Sequence, residues 1–135
     1  MEKKNYKVAI YIRVARMDDD AMENQETVVR RFAEEQGYSD LALYSDNGYN
    51  GLNFNRPAFM QMEKDICAGL INIVIFKDLS RISRNSIDAF NWLEQKRQRG
   101  INVKSVHDDV TSLPLCLAEI NKAYRSYRRK QKKGV

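Results

Sequence analysis

Arginines follow two of the most apolar segments of the chain, and their chemistry suggests a ligand. Arg13 and Arg16 follow the apolar run 8–12, whereas Lys77, Arg81 and Arg84 follow the run 71–76. The guanidinium group is a planar fork of donors that matches the oxygens of a phosphate. If both clusters lie at one edge of a sheet, they predict an anionic ligand, with phosphate favoured. The alternative is that each arginine only pairs with neighbouring acids on the surface.

Acidic residues also follow the apolar runs and leave a metal-dependent site open. They are Asp46, Asp78, Asp108 and Asp109. A magnesium or phosphoacceptor site of the receiver type needs an acidic pair after the first strand, where Arg13 stands instead. A nucleotide site needs a glycine-rich loop there, and the chain has none. We therefore predict neither a metal nor a cofactor. His107, beside Asp108, is interpreted as a structural or solvent-facing residue.

Four short apolar segments predict β-strands, and helical patterns separate them. The third segment is almost continuously apolar, as expected of a strand that helices cover on both faces. Alternation of strands and helices predicts an α/β fold, a three-layer open and mainly parallel sheet with ligands at the carboxyl ends of its strands. The predicted strands are residues 8–12, 41–44, 71–76 and 101–106.

Three helices are predicted between these strands, each followed by a glycine that suits a C-terminal cap. We expect Trp92 to lie off the inward stripe of the third helix, in packing or at a subunit interface. The inward residues are predicted to be Met22, Val28, Val29, Phe32 and Ala33 before Gly37; Phe59, Met62 and Ile66 between Pro57 and Gly69; and Ile87, Phe90 and Leu93 between Ser86 and Gly100.

Charge separates the end of the chain from its body. Residues 122–135 contain seven of the 23 basic residues and none of the 18 acidic ones. We predict one domain over residues 1–110 and a C-terminal helix with a basic tail over 111–135. A basic segment with interleaved tyrosines suits a polyanion, although the tail could equally serve solubility alone. The predicted DNA contacts are Arg125, Arg128, Arg129, Lys130, Lys132 and Lys133.

No segment approaches the roughly 18 consecutive apolar residues of a membrane span. The N-terminus is charged, and no apolar signal region follows it. We therefore expect a cytoplasmic protein with no membrane partner. Cys67 and Cys116 lie far apart without metal-ligand spacing, so we interpret both as small core residues.

Several motifs together resemble the serine recombinases of the resolvase/invertase family. Residues 11–15, Tyr-Ile-Arg-Val-Ala, resemble the family signature Tyr-x-Arg-Val-Ser, and residues 78–85 resemble the second arginine motif of the large serine recombinases. Segments 23–25, 37–38, 46–51 and 54–57 match in the same order. The resemblance covers about residues 7–110 and implies a resolvase-like fold.

The resemblance implies site-specific DNA recombination by phosphoryl transfer without a metal. A serine hydroxyl attacks the scissile phosphate, displaces the 3′ hydroxyl and holds the DNA through a phosphoserine bond, and subunits of an oligomer then exchange strands. Arginines stabilise the developing charge. Matching positions give that role to Arg13, Arg56, Arg81 and Arg84. Tyr11 and Gln25 would support the site, and Asp46 would hold an arginine in place.

The chain departs from the family at Ala15, which occupies the position of the nucleophilic serine. A methyl group has no lone pair, so the covalent step cannot begin there. Ser80 and Ser83 belong to the arginine loop and are no obvious substitutes. We therefore predict that the chain does not cleave DNA.

Two histories fit Ala15: a degenerate copy from a mobile element, or a substitution that traps an active enzyme before chemistry. The family also carries a DNA-binding region after its long helix, which this sequence lacks. The expected partners are DNA and a second subunit, in a homo-oligomer or a hetero-oligomer with an active recombinase. A rival hypothesis is a non-catalytic regulator that occupies the place of an active subunit.

Overall fold

The computed structural model describes residues 7–108, which form four strands and three helices in alternating order. A single 3₁₀ turn, Leu79–Arg81, follows the third strand. The predicted C-terminal helix, the basic tail and the boundary at residue 110 lie outside the described residues. The elements are β1 (Val8–Val14), α1 (Asp19–Glu35), β2 (Leu41–Asn47), α2 (Pro57–Cys67), β3 (Ile73–Phe76), α3 (Ser86–Gln98) and β4 (Asn102–Ser105).

The four strands form one parallel sheet in the order β2-β1-β3-β4. β1 lies inside the sheet and pairs with β2 on one side and β3 on the other. Its register places Arg13 opposite Asp46. All four carboxyl ends therefore lie at the same edge, which confirms the predicted α/β class.

Alternating side chains of β1 divide the core between two faces of the sheet. Val8, Ile10 and Ile12 pack against α1, whereas Ala9 and Tyr11 pack on the opposite face with residues of α2 and α3. β3 alternates in the same way. The two central strands, β1 and β3, are buried on both sides, so the predicted three-layer arrangement is confirmed. The alternation also sends Arg13 to the face of α2 and α3.

Local signals set the ends of the helices. The Asp18 carboxylate accepts a hydrogen bond from the backbone N–H of Ala21 at 3.0 Å and caps α1. Pro57 stands in the first turn of α2, where its missing N–H costs nothing. Gly37, with φ +90°, follows α1 in the left-handed region that glycine adopts without strain.

Strands β1 and β2 extend further than the apolar pattern predicted. Ser45, Asp46 and Asn47 continue β2 because they pair in register with residues 12–14 of β1. Ser45 is exposed on this edge strand, whereas Asp46 is buried and its carboxylate accepts hydrogen bonds. Arg13 and Asp46 consequently lie within paired strands and not after them, which fixes their backbones.

The buried face of α3 differs from the predicted stripe. Ala89, Trp92, Leu93 and Lys96 are buried, whereas Ile87 and Phe90 are only half-buried. The expectation that Trp92 lies off the inward stripe was wrong. The Glu63 carboxylate on α2 accepts hydrogen bonds from the Trp92 indole and, at 2.6 Å, from the Lys96 ammonium. Lys96 can be buried because a carboxylate on another helix pairs with its charge. An apolar pattern within α3 cannot reveal such a partner.

The interpretation of Cys67 as a core residue was also wrong. Its side chain is exposed at the end of α2. Ile66 is the inward residue of that turn, and one helical step turns Cys67 away from the sheet. Cys116 lies outside the described residues.

Candidate functional site

Arg13 ties two loops to the end of β1. Its guanidinium is almost fully buried and donates to the carbonyls of Arg81 at 3.1 Å, Tyr49 at 2.9 Å and Ser80 at 2.7 Å. Burial lowers the pKa of Arg13, and the positive charges of Arg56, Arg81 and Arg84 lower it further. Most of the N–H donors of Arg13 are therefore used to hold the two loops in place.

Gln25 of α1 clamps the backbone of Arg13. The Arg13 N–H donates to Gln25 Oε1 at 2.9 Å, and Gln25 Nε2 donates back to the Arg13 carbonyl at 3.0 Å. The side chain is buried. Pairing of β1 with β3 ends at Tyr11, and beyond it Gln25 holds the backbone of the strand just before the first loop.

Arg81 completes a reciprocal contact with Arg13. Its Nη1 donates to the Arg13 carbonyl at 3.1 Å, while its own carbonyl accepts from Arg13 Nε. Asp78 Oδ2 lies 3.6 Å from Arg81 Nε, beyond hydrogen-bond distance, and that nitrogen has no hydrogen-bond partner in the described part of the chain. About a quarter of the side chain is exposed, 23%. Arg81 thus reaches the edge of the site with part of its side chain exposed, while the unpaired Nε itself is buried.

Arg84 is the most exposed of the four predicted arginines. Its backbone N–H donates to the Gly51 carbonyl at 2.9 Å, which anchors the residue to the loop before α2. Among residues 7–108, no carboxylate lies within 4.0 Å of its guanidinium. The charge of Arg84 is therefore available to an external anion.

Arg56 lies beneath the site, with none of its surface exposed. It donates to the carbonyls of Asn53, Arg81 and Ile82 and, at 2.9 Å, to the Tyr11 hydroxyl. Its guanidinium stands 4.5 Å from the centre of the Phe59 ring. The resemblance implied that Arg56 donates to a phosphate. In this structure its guanidinium is fully buried, so a phosphate at the surface cannot contact it. Arg56 instead supports the loop that carries Arg81.

Asp46 reaches an arginine only through Tyr11. Tyr11 donates its hydroxyl proton to Asp46 Oδ2 at 2.7 Å and accepts from Arg56. Asp46 also accepts from the N–H groups of Ala58 and Phe59 at 2.9 and 3.0 Å. Asp46 is therefore linked to Arg56 through Tyr11 and also caps the first turn of α2. Burial raises the pKa of Tyr11, as does Asp46, while Arg56 opposes the shift.

Ala15 is the first residue after β1, two positions beyond Arg13, and it is exposed. Neither neighbouring serine offers a free hydroxyl. Ser83 is buried and donates to the Gly51 carbonyl at 3.3 Å, and Ser80 donates to the Asp78 carboxylate. Position 15, two residues after Arg13, therefore offers a methyl group, and the described serines of the arginine loop do not replace the missing hydroxyl.

Two features of the site were not predicted from the sequence. The carbonyls of Tyr49 and Gly51 accept from the arginine clusters, and backbone acceptors leave no residue-type signature. The glycines at 48 and 51 were the available signal, because they allow close approach of the chain. His107 is exposed after β4, in agreement with its predicted solvent-facing position.

Within residues 7–108, no cluster of three or more His, Cys, Asp or Glu side chains is placed to hold a metal ion. The same part of the chain contains no helix long and apolar enough to cross a membrane. The six predicted DNA-contacting residues between Arg125 and Lys133 lie outside the described residues.

The fold and the site define a parallel α/β domain with an arginine-rich cluster at the carboxyl edge of its sheet. Residues 8–133 match the family described as "Resolvase, N terminal domain". The chain belongs to this family. The assignment confirms the resemblance drawn from the motifs, and recombinases of this family act on DNA and typically oligomerise.

Known proteins agree with the assignment. The "Putative DNA recombinase" of Bacillus subtilis (strain 168) is 28% identical over 109 residues, which are 79% of this chain and 22% of that protein. The chain therefore spans about a fifth of the length of this relative. A resolvase family site-specific recombinase from Streptococcus pneumoniae has a TM-score of 0.76 at 24% identity, covering 96% of this chain and 93% of its own.

The N-terminal catalytic domain of TP901-1 integrase has the same fold. Its TM-score is 0.74 at 21% identity, with 95% of this chain and 98% of that chain covered. Identities this low show the fold and leave the activity to be argued from the site.

Proposed function

We propose that this chain is the catalytic-type domain of a serine site-specific recombinase that binds a DNA phosphodiester and lacks its own nucleophile. The observation that carries the proposal is the convergence of Arg13, Arg81 and Arg84 at one edge of the sheet. Few ligands other than a phosphate match several guanidinium groups so close together.

The four arginines have different roles in this proposal because they differ in exposure. Arg84 and Arg81 donate to the non-bridging oxygens of the phosphate, where charge develops during transfer. Arg13 and Arg56, whose donors are taken by carbonyls, hold those two in place. In an active relative, a serine at position 15 would attack the phosphorus and displace the 3′ hydroxyl.

Ala15 separates binding from cleavage in this chain. Loss of a nucleophile typically lowers the rate by several orders of magnitude, and what remains is binding and charge stabilisation. The expected activity is therefore DNA binding without strand cleavage.

Gel-shift titration tests the binding, with random duplexes and candidate crossover duplexes at two salt concentrations. Each phosphate contact changes the slope of log K against log salt by about 0.9. Arg84→Gln should lower that slope by about one contact. Arg31→Gln is the matched control, because Arg31 is exposed in the later turns of α1, away from the end that follows β1. Equal slopes for both variants would contradict the proposal.

The alanine at position 15 also favours a second candidate function, regulation of an active recombinase. A domain that keeps the fold and the phosphate site, but cannot cut, would occupy the place of an active subunit. Mixing the chain with an active family member tests this idea. Co-purification with suppressed recombination supports regulation, whereas recombination that is unaffected, without association, contradicts it.

We also propose that the working form is an oligomer in the cytoplasm, either a homo-oligomer or a mixed one. The basic residues of segment 122–135 would add phosphate contacts that do not depend on DNA sequence.

A further inference from the structure

Gly51 lies buried where the two arginine clusters meet. Its carbonyl accepts from the Arg84 N–H at 2.9 Å and from the Ser83 hydroxyl at 3.3 Å. The loop before α2 is thereby joined to the loop after β3. Arg13 adds a second connection through the carbonyl of Tyr49.

The space over the Gly51 Cα is already filled by two arginine side chains. A Cβ added there would stand 2.7 Å from Arg84 Cγ, 2.8 Å from Arg13 Nη2 and 3.0 Å from Arg13 Cζ. Carbon atoms prefer separations of about 3.5–4.0 Å, so at least one side chain would have to move.

Backbone conformation does not explain this glycine. Gly37, Gly48, Gly69 and Gly100 have positive φ values, whereas Gly51 does not. An alanine would fit its backbone and fail only for lack of room. The requirement at position 51 is therefore steric, and it comes from Arg13 and Arg84.

The two arginines would respond differently to a side chain at position 51. Arg13 is held by hydrogen bonds to three carbonyls and would have to break them. Arg84 is exposed and no carboxylate among the described residues holds it. Arg84 is thus the side chain that yields first, although the 2.8 Å contact with Arg13 Nη2 also has to open.

We propose that Gly51 is a positioning residue of the phosphate site: its missing side chain leaves the room in which Arg84 crosses the Arg13 guanidinium and reaches the ligand. The inference rests on the phosphate-binding function proposed above. It adds a residue that acts through Arg84 without touching the DNA.

A double-mutant cycle on DNA affinity tests the proposal, with a duplex that the parent chain binds. Arg84→Ala removes Cγ together with the charge, and we expect it to weaken binding about tenfold. Gly51→Ala should weaken binding by a similar factor and lower the salt slope by about one contact. Because both act on one contact, the double variant should bind as weakly as Arg84→Ala alone.

Gly69→Ala is the matched control. Gly69 has φ +77° and nothing within 4 Å of an added Cβ. It should lower the free energy of unfolding, through backbone strain, and leave the DNA affinity unchanged. Gly51→Ala should instead lower the DNA affinity, and Arg84→Ala should restore part of the stability that Gly51→Ala loses, because it removes the contact with Cγ and leaves those with Arg13.

Three results would overturn the inference while leaving the binding function intact. In the first, Gly51→Ala binds DNA as tightly as the parent chain. In the second, the losses of DNA affinity caused by Gly51→Ala and Arg84→Ala add up in the double variant. In the third, the double variant is as unfolded as Gly51→Ala. The last would assign the steric conflict to Arg13 alone. Absence of DNA binding by the parent chain would instead contradict the proposed function.

Discussion

At the scale of single residues, burial divides four similar arginines into two roles. Arg13 and Arg56 donate to backbone carbonyls inside the domain, whereas Arg81 is partly exposed and Arg84 is exposed. The motifs predicted which arginines gather at the site. They could not predict this division, because it depends on aromatic side chains and carbonyls contributed by distant segments.

Tyr11→Phe should destabilise the domain. The variant loses the bond to Asp46 and the bond from Arg56, which leaves a buried carboxylate and a buried guanidinium each with one partner fewer. We expect the free energy of unfolding to fall by about 1–3 kcal/mol, as measured by denaturant titration. Tyr49→Phe is the control, since its exposed ring should change stability by less than about 0.5 kcal/mol. Equal stabilities of the two variants would contradict the buried network.

The pH dependence of stability should also report on Tyr11. Burial raises the pKa of Tyr11 above its ordinary value of 10.0. The native state therefore keeps a proton that the unfolded state releases. Stability is fully present below pH about 10 and falls as the pH rises beyond it.

Tyr11→Phe should make that alkaline decline shallower, without abolishing it. Burial and Asp65 also raise the pKa of Tyr44, so one contribution remains. Denaturant titration at several pH values between neutrality and pH 11 measures the slope. A decline as steep as that of the parent chain would show that Tyr11 is not the group responsible.

At the scale of elements, the apolar patterns predicted each strand and helix but not the polar ends of β1 and β2. Those ends are fixed by pairing between strands, as in the register of Arg13 with Asp46. The face of α3 was missed for a similar reason, because Lys96 is buried only in the presence of Glu63. Both features depend on contacts between elements, and a pattern within one segment does not contain them.

Asp46→Asn should weaken the junction between β2 and α2. The carboxylate accepts three hydrogen bonds, two of them from N–H groups in the first turn of α2. An amide of the same shape turns one acceptor into a donor and removes the negative charge near the helix N-terminus. We expect a loss of about 1–3 kcal/mol in unfolding free energy. Asp40→Asn, at an exposed position, should change it by less than about 0.5 kcal/mol.

At the scale of the whole molecule, the fold brings the end of β1 and two loops to one edge of the sheet and so assembles the arginine cluster from segments far apart in sequence. Arg13 belongs to the end of β1, Gly51 to the loop before α2 and Arg84 to the loop after β3, yet they meet within van der Waals distance. The parallel connections make this possible, since each strand delivers its carboxyl end to the same place. The class of fold and the family could be predicted from the order of the motifs.

Restoring the nucleophile tests the central claim most directly. Ala15→Ser is incubated with DNA that the parent chain binds, and covalent protein–DNA adducts are separated under denaturing conditions. If the site lacks only its attacking oxygen, the variant should form an adduct at the 5′ phosphate of a cut strand. The parent chain and Ala15→Ser combined with Arg81→Gln should form none. An Ala15→Ser chain that binds this DNA as tightly as the parent but never forms an adduct would contradict the account.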